Sequence, residues 1–228
     1  MVYQISIIIP VFNEPYIINK TIAHLNSVST GKRIEIIVVD GCMSQNTSKV
    51  IQDKRVKKIS SPKGRGIQMN IGSKAASGDI LLFLHADTLL EHKAPELIVK
   101  TIRDQNAAAG AFDLGIHSQK AVFRLIEKMV YIRSRLTAIP YGDQGIFIRR
   151  NFFETIGGFA DMPIMEDVDL MRRVKKAGGK IAMIDQKVST SPRRWEKEGI
   201  IFCTLRNWIL IVLFLLGVPA EKLSKFYP

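Results

Sequence analysis

Carboxylates recur in this chain where an apolar run stops. Glu14 follows Ile5 to Val11 in the segment Pro10-Val11-Phe12-Asn13-Glu14, Asp40 closes Ile34 to Val39 ahead of Gly41, and Asp87 ends His85-Ala86-Asp87 after Ile80 to Leu84. A later acidic cluster, Met165-Glu166-Asp167-Val168-Asp169-Leu170, joins them. Ionised carboxylates accept hydrogen bonds, ligate hard cations and, when held in place, remove protons. A second candidate feature, Gly64-Arg65-Gly66-Ile67-Gln68-Met69, invites a dinucleotide-loop reading. Met69 stands where the third glycine belongs and no suitable strand immediately precedes the segment, so a Rossmann cofactor is rejected. No Cys/His spacing matches a zinc site.

The elements that must position these groups follow from the hydrophobic pattern. Ile5 to Val11 reads as a buried parallel strand, and Ile18, Ile22 and Leu25 share one face of a helix between Pro15 and Gly31. A second strand over Ile34 to Val39 completes a βαβ unit, whose crossover is right-handed. The pattern repeats with a strand at Val56 to Ile59, a helix at Ile67 to Ala76 and a strand at Ile80 to Leu84. Ligands of open α/β sheets bind outside the carboxyl ends of the strands, so Asn13, Glu14, Asp40 and Asp87 are expected to converge on one crevice. Further on, the pattern predicts helices at Pro95 to Asp104, Ala121 to Arg135 and Asp167 to Ala177. Strands are expected at Ala108 to Leu114, Gly145 to Ile148 and Lys180 to Ile184. The order of these later strands is not readable from the pattern.

The chain has 228 residues, a length that suits one larger domain with an appendage. We expect an α/β domain over 1–195 and an apolar helical tail over 196–228. The net charge of +12 calls for a partner that tolerates positive charge: nucleic acid, an anionic membrane face or a phosphate-bearing substrate. Cys42 and Cys203 cannot make a disulfide framework, and no signal peptide is expected, so the body should be cytoplasmic. A helix over 200–218 would reach about 28 Å, close to a ~30 Å hydrocarbon core, but Arg206 and Asn207 interrupt it. That stretch is read as an interfacial or partner-binding helix, against a core helix or a spanning one.

The strand-end set together with Glu166-Asp167 resembles the family 2 glycosyltransferases of the GT-A fold, over about residues 3 to 195. The resemblance implies a hexosyltransferase-like enzyme that takes its sugar from a nucleoside diphosphate donor, UDP-sugars favoured, and transfers it with inversion. Pro10, Asn13 and Glu14 match the first-strand loop, and Asp40 matches the acid that reads the base. The alternative for Asp40 is an Asx-turn before Gly41. Asp87 matches the last acid of the Asp-x-Asp motif, which holds a divalent cation, manganese or magnesium, on the diphosphate. His85 replaces the first acid, so that His85-Ala86-Asp87 is similar to small bacterial members carrying the same variant, and nitrogen favours manganese. Asp167 matches the general base and Glu166 its neighbour; the competing account is that both merely cap a helix start. Ser191-Pro192-Arg193-Arg194-Trp195 resembles the Gln-x-x-Arg-Trp segment without its Gln, with Arg194 for the diphosphate and Trp195 for a sugar. Arg65 and Gln68 would lie near base and ribose, and Asp143, in Gly142-Asp143-Gln144-Gly145, near the donor sugar unless it only shapes a turn.

Two other classes remain open. A non-catalytic nucleotide-sugar binder is suggested by His85. A nucleotidyltransferase would want a Gly-rich, basic loop after the first strand, which Pro10 to Glu14 lacks. Nucleic acid binding is disfavoured, because the acids would line the cleft and repel phosphate. The apolar, base-flanked tail suggests an acceptor that is lipid-linked, peripheral membrane contact at the inner face, or contact with a second copy of the chain.

Overall fold

In the computed structural model, which describes residues 5–29 and 33–227, Ile5–Val11 (β1) lies at the middle of the sheet. Alternate residues of this strand serve opposite faces. Ile7 and Ile9 pack on one side with Ile18, Ile22 and Leu25 of the helix Ile18–Val28 (α1). Ile8 packs on the other with Ile37 and Val39 of the strand Ile34–Asp40 (β2). Both faces are covered, which is why the strand carries a continuous apolar run rather than an alternating one. Full burial of each such isoleucine stabilises the fold by roughly 1.5–3 kcal/mol. Gly31, the expected limit of α1, lies outside the described residues.

The chain continues through Asn46–Lys49 (α2), Lys57–Ser60 (β3), Arg65–Ala75 (α3), Ile80–Phe83 (β4), Thr88–Leu89 (β5) and Ala94–Asp104 (α4). Next come Ala109–Ile116 (β6), Ala121–Thr137 (α5), a 3-10 turn at Gly142–Gln144, Ile146–Arg149 (β7), Arg150–Thr155 (α6) and Glu166–Lys176 (α7). Ile181–Thr190 (β8), Arg193–Glu198 (α8), Ile200–Leu215 (α9), Ala220–Leu223 (α10) and a last 3-10 turn complete it. The eight strands form one sheet in the order β3-β2-β1-β4-β7-β6-β8-β5. The β3-β2-β1-β4 half is parallel; β7 runs antiparallel between β4 and β6, and β8 is parallel to β6.

α3 is pressed against this sheet because Gly72 has no side chain: a Cβ there would lie 2.5 Å from Ile8 Cγ2. β8 runs on to Thr190, beyond the expected end at Ile184. The polar stretch Asp185-Gln186-Lys187 ends the apolar run, but Val188 and Thr190 are buried again beside β6, after a register shift between Phe112 and Asp113. The short β5, α2, α6 and α8 carry too few periodic residues to be seen in the pattern. The tail packs on the α7 region: Leu210, Ala220 and Leu223 form one cluster with Ile164, Met165 and Val168.

Candidate active site

The loops that follow β1 and β2 are knitted to each other before they offer anything to a ligand. Asp40 is fully buried; its Oδ1 accepts from the Cys42 amide at 2.9 Å and its Oδ2 from the Ser48 amide at 2.9 Å. This is the bonding of the Asx-turn alternative: the carboxylate organises the loop and does not line the cavity. Asn13, in the left-handed region at φ 57°, is likewise a loop residue, its Oδ1 accepting from Asn46 Nδ2 at 2.5 Å. The Glu14 amide donates to Thr47 Oγ1. Gln68, buried on α3, donates its amide to the Val11 and Val39 carbonyls at 2.8 Å each, pinning the ends of both strands.

What these loops frame is a cavity of about 780 Å³ at the carboxyl ends of β1 and β4. Pro10, Glu14, Arg65, Gln68, His85, Ala86, Asp87, Asp143, Asp167, Arg194 and Trp195 line it; Asn13, Asp40 and Glu166 do not. The His85 to Asp87 loop is fixed from behind, where the Thr21 hydroxyl donates to the Ala86 carbonyl and the Thr88 amide to that of His85. Burial, helped by the nearby Arg65 charge, pushes the His85 imidazolium pKa down despite Asp87 and Asp167, so the ring is neutral at pH 7.

The opposite wall is built on the Gly142–Gln144 turn. Buried Gln144 anchors it by accepting from the Tyr141 amide, Arg133 and Ser134 Oγ at 2.9–3.1 Å and donating to the Phe112 carbonyl. Gly142 brings the two walls close: a Cβ there would stand 3.1 Å from His85 Nε2 and 3.4 Å from Asp167 Oδ2. Asp167 Oδ2 accepts from the Gly142 amide at 2.6 Å while Oδ1 accepts from the Val168 amide at 2.8 Å. The Oδ1 bond to the first-turn Val168 amide is one a helix cap makes, while Oδ2 reaches out of the helix to the turn that faces His85. Its neighbour Glu166 points inward, 2% exposed, and pairs with Arg65 at 2.8 Å. Burial raises the Glu166 carboxyl pKa; burial also works against the Arg65 charge, but Glu166, Tyr227 and Asp167 together outweigh it and raise the guanidinium. The pair ties α3 to α7. Asp143, with Oδ1 buried and unpartnered among the described residues, has its carboxyl pushed up to about 6, burial outweighing Arg133.

Of the two tandem arginines, the one that meets the acids is Arg193, not Arg194. Arg193 donates to Asp87 Oδ2 at 3.2 Å and reaches Glu14 Oε2 at 3.4 Å. Arg194 is engaged by Glu198 at 3.2 Å and by the Tyr227 hydroxyl and ring, although it still borders the cavity. Trp195 meets Phe123 edge to face at 5.9 Å. Sequence reasoning missed Arg193, Gln144 and Tyr227; the doubled arginine was a usable signal, whereas contacts across long chain separations left none.

Among the described residues no group of three or more His, Cys, Asp or Glu side chains is arranged to hold a metal. The exposed donor set is small, Asp87 beside neutral His85, and suits a hard cation only if most of its oxygens arrive with a diphosphate and water. The residues therefore fit a cation carried in by substrate, not a resident one.

A parallel half-sheet with an antiparallel strand beyond it and carboxylates at their junction is a GT-A fold. The chain belongs to Glycosyl transferase family 2, whose model matches residues 6–159. It is 26% identical over 224 residues to "Probable glycosyltransferase YdaM" of Bacillus subtilis, covering 86% of this chain and 51% of that protein. It is 28% identical over 177 residues to the dolichol-phosphate mannosyltransferase of Pyrococcus furiosus, covering 73% of this chain and 49% of the relative. The chain thus spans about half the length of these relatives. In fold it is similar to mannosyltransferase PcManGT of Pyrobaculum calidifontis, solved with GDP-Man and Mn2+. That likeness has a TM-score of 0.69 at 18% identity and covers 82% of this chain and 56% of that one. S. aureus TarS 1-349 with UDP-GlcNAc is similar at a TM-score of 0.64 and 17% identity, over 82% and 58% of the two chains.

Proposed function

We propose that this chain transfers a sugar from a nucleoside diphosphate donor to an acceptor hydroxyl with inversion, Asp167 acting as the general base. The carrying observation is the placement of Asp167: on the cavity wall, held by the Gly142 amide, opposite the His85-Ala86-Asp87 variant of the Asp-x-Asp motif. In this reading the acceptor oxygen attacks the anomeric carbon, its proton passes to the Asp167 carboxylate, and the bond from that carbon to the diphosphate oxygen breaks. Arg193 lies where it can take up charge on the leaving diphosphate, in exchange for its contacts with Asp87 and Glu14. Asp87 and His85 would hold the divalent cation, which when bound supplies further neutralisation of the leaving group. The acceptor approaches along the apolar wall of Leu114, Ile126, Val130 and Ile211.

The preference for uracil rested on Asp40. With that side chain engaged by backbone amides, the reading commits to a nucleotide sugar and to no one base. Thermal unfolding with GDP-mannose and UDP-GlcNAc, each with and without manganese, tests the donor assignment, since a ligand that binds only the folded state raises the Tm. A rise with one nucleotide sugar, larger with manganese, is expected. No rise with either donor at millimolar concentration would remove the reading. Binding without hydrolysis or transfer would favour the non-catalytic binder.

A further inference from the structure

The cavity runs between α5 and α9, and each of these helices turns an apolar stripe outward beside it. On α5 the residues are Val122, Leu125, Met129, Ile132 and Leu136, spaced alternately three and four apart, with Leu136 82% exposed. On α9 they are Ile201, Leu205, Trp208, Val212 and Leu215, with Ile209 alongside, at 40–71% exposure. Spacing of this kind puts each set on one helical face. Apolar stripes on two neighbouring helices exceed what scattered surface residues produce and mark a contact surface.

The charge that interrupts α9 in the sequence does not interrupt this face. Arg206 turns inward, with its side chain 12% exposed, and pairs with Glu198. α5 is fixed on its inner side in the same way: buried Glu127 accepts from the Ile116 amide at 2.8 Å and pairs with Lys187. The outward faces are therefore free of buried polar demand, and exposed lysines stand on the same or adjoining elements, Lys128 on α5, Lys197 on α8 and Lys222 on α10, without ion pairs among the described residues. α9 has 16 residues, about 24 Å at ~1.5 Å per residue, and no helix among the described residues is long and apolar enough to cross a membrane.

We propose that α5 and α9 seat the protein flat on an anionic lipid bilayer, with the mouth of the cavity toward the lipid. Exposed apolar helix faces that include Trp208, on a chain of net charge +12 with exposed lysines on α5, α8 and α10, match the interface between hydrocarbon and anionic headgroups. A second copy of the chain would meet the same lysines with its own and be repelled. The proposal uses the transferase reading only to give the cavity mouth an acceptor; the docking surface stands on its own observations.

The experiment is flotation of the full chain with phosphatidylcholine vesicles, with and without phosphatidylglycerol, at low and high salt. Wild type should float with the anionic vesicles and lose most of that binding at high salt. Leu125→Glu/Ile132→Glu and Ile209→Glu/Val212→Glu, all on exposed positions, should each lower the bound fraction at least about tenfold with unchanged Tm. Failure of the wild type to float, or floating unaffected by either double variant, overturns the proposal. So does a lipid-free dimer, measured by light scattering, that both variants dissociate. The nucleotide-sugar Tm shift is measured on the same samples: if it is absent while flotation persists, the transfer reading fails and the docking surface remains.

Discussion

The two walls of the cavity use charge in opposite ways. On the β1 and β2 side, Asp40, Asn13 Oδ1 and Gln68 Nε2 are engaged by neighbouring loop and strand groups and hold the wall in shape. On the α7 and Gly142–Gln144 side, Asp167 also accepts one backbone amide on each oxygen but borders the cavity, and Asp143 Oδ1 has no partner among the described residues. A buried polar group that is fully satisfied stabilises structure, while one left with capacity invites a ligand or a proton. An acid at a strand end is thus not a functional residue by position alone; its exposure to the cavity counts as well.

The largest effect should come from the wall that presents Asp167 to the cavity. Asp167→Asn is expected to lower transfer by about 10²–10⁴-fold while donor affinity stays within a few fold, measured as kcat against the Kd of the nucleotide sugar. Near-normal turnover would collapse the distinction between the walls. Glu166→Ala, one residue earlier, should act on folding: it removes the buried partner of Arg65, whose own side chain is 36% exposed and can be partly solvated, at a cost of about 1–3 kcal/mol, read by urea unfolding. The two adjacent acids then separate as chemistry and scaffold.

Asp40→Asn sharpens the other side. An amide oxygen can keep one of the two backbone bonds, so a loss of about 1–3 kcal/mol in stability is expected, with the ratio of affinities for GDP- and UDP-sugars unchanged. A shift in that ratio would restore Asp40 to base recognition. Arg193→Ala should raise the donor KM by roughly tenfold and leave stability nearly unaltered, since the side chain is more than half exposed and its ion pairs are weak.

How far the sequence reached follows the same division. The parallel half was legible, because strands buried on both faces advertise themselves as Ile- and Val-rich runs and their carboxyl ends locate the crevice. Placing Asp87 and Glu14 on one cavity needed no more than that. The acceptor side was legible only in pieces. The antiparallel β7 and the extension of β8 to Thr190 depend on strand order, which no local pattern encodes. The roles of Arg193, Gln144 and Tyr227 depend largely on distant partners, up to 179 residues away in the Arg193 contact with Glu14. Even at the crevice, the inward turn of Asp40 was hidden, since reading it requires knowing that Ser48 returns to it.

The smallest expected effect tests whether the unsatisfied wall is titratable, and it concerns Asp143. Its folded-state carboxyl is raised by burial to about 6 from an ordinary 3.8, so the folded protein holds the proton more tightly than the unfolded chain. Below the unfolded value both states are protonated and the group has no effect. As pH rises through the window from about 4 to about 6, the unfolded chain ionises first and stability falls; above it the full cost remains. Asp143→Asn keeps the shape and removes the titration. The variant should match wild type at pH 4 and become more stable by roughly 1–3 kcal/mol at pH 7, a gain of a few degrees in Tm. A flat difference across that range would mean that Asp143 is solvated or partnered in solution. The contrast between the walls would then rest on Asp167 alone.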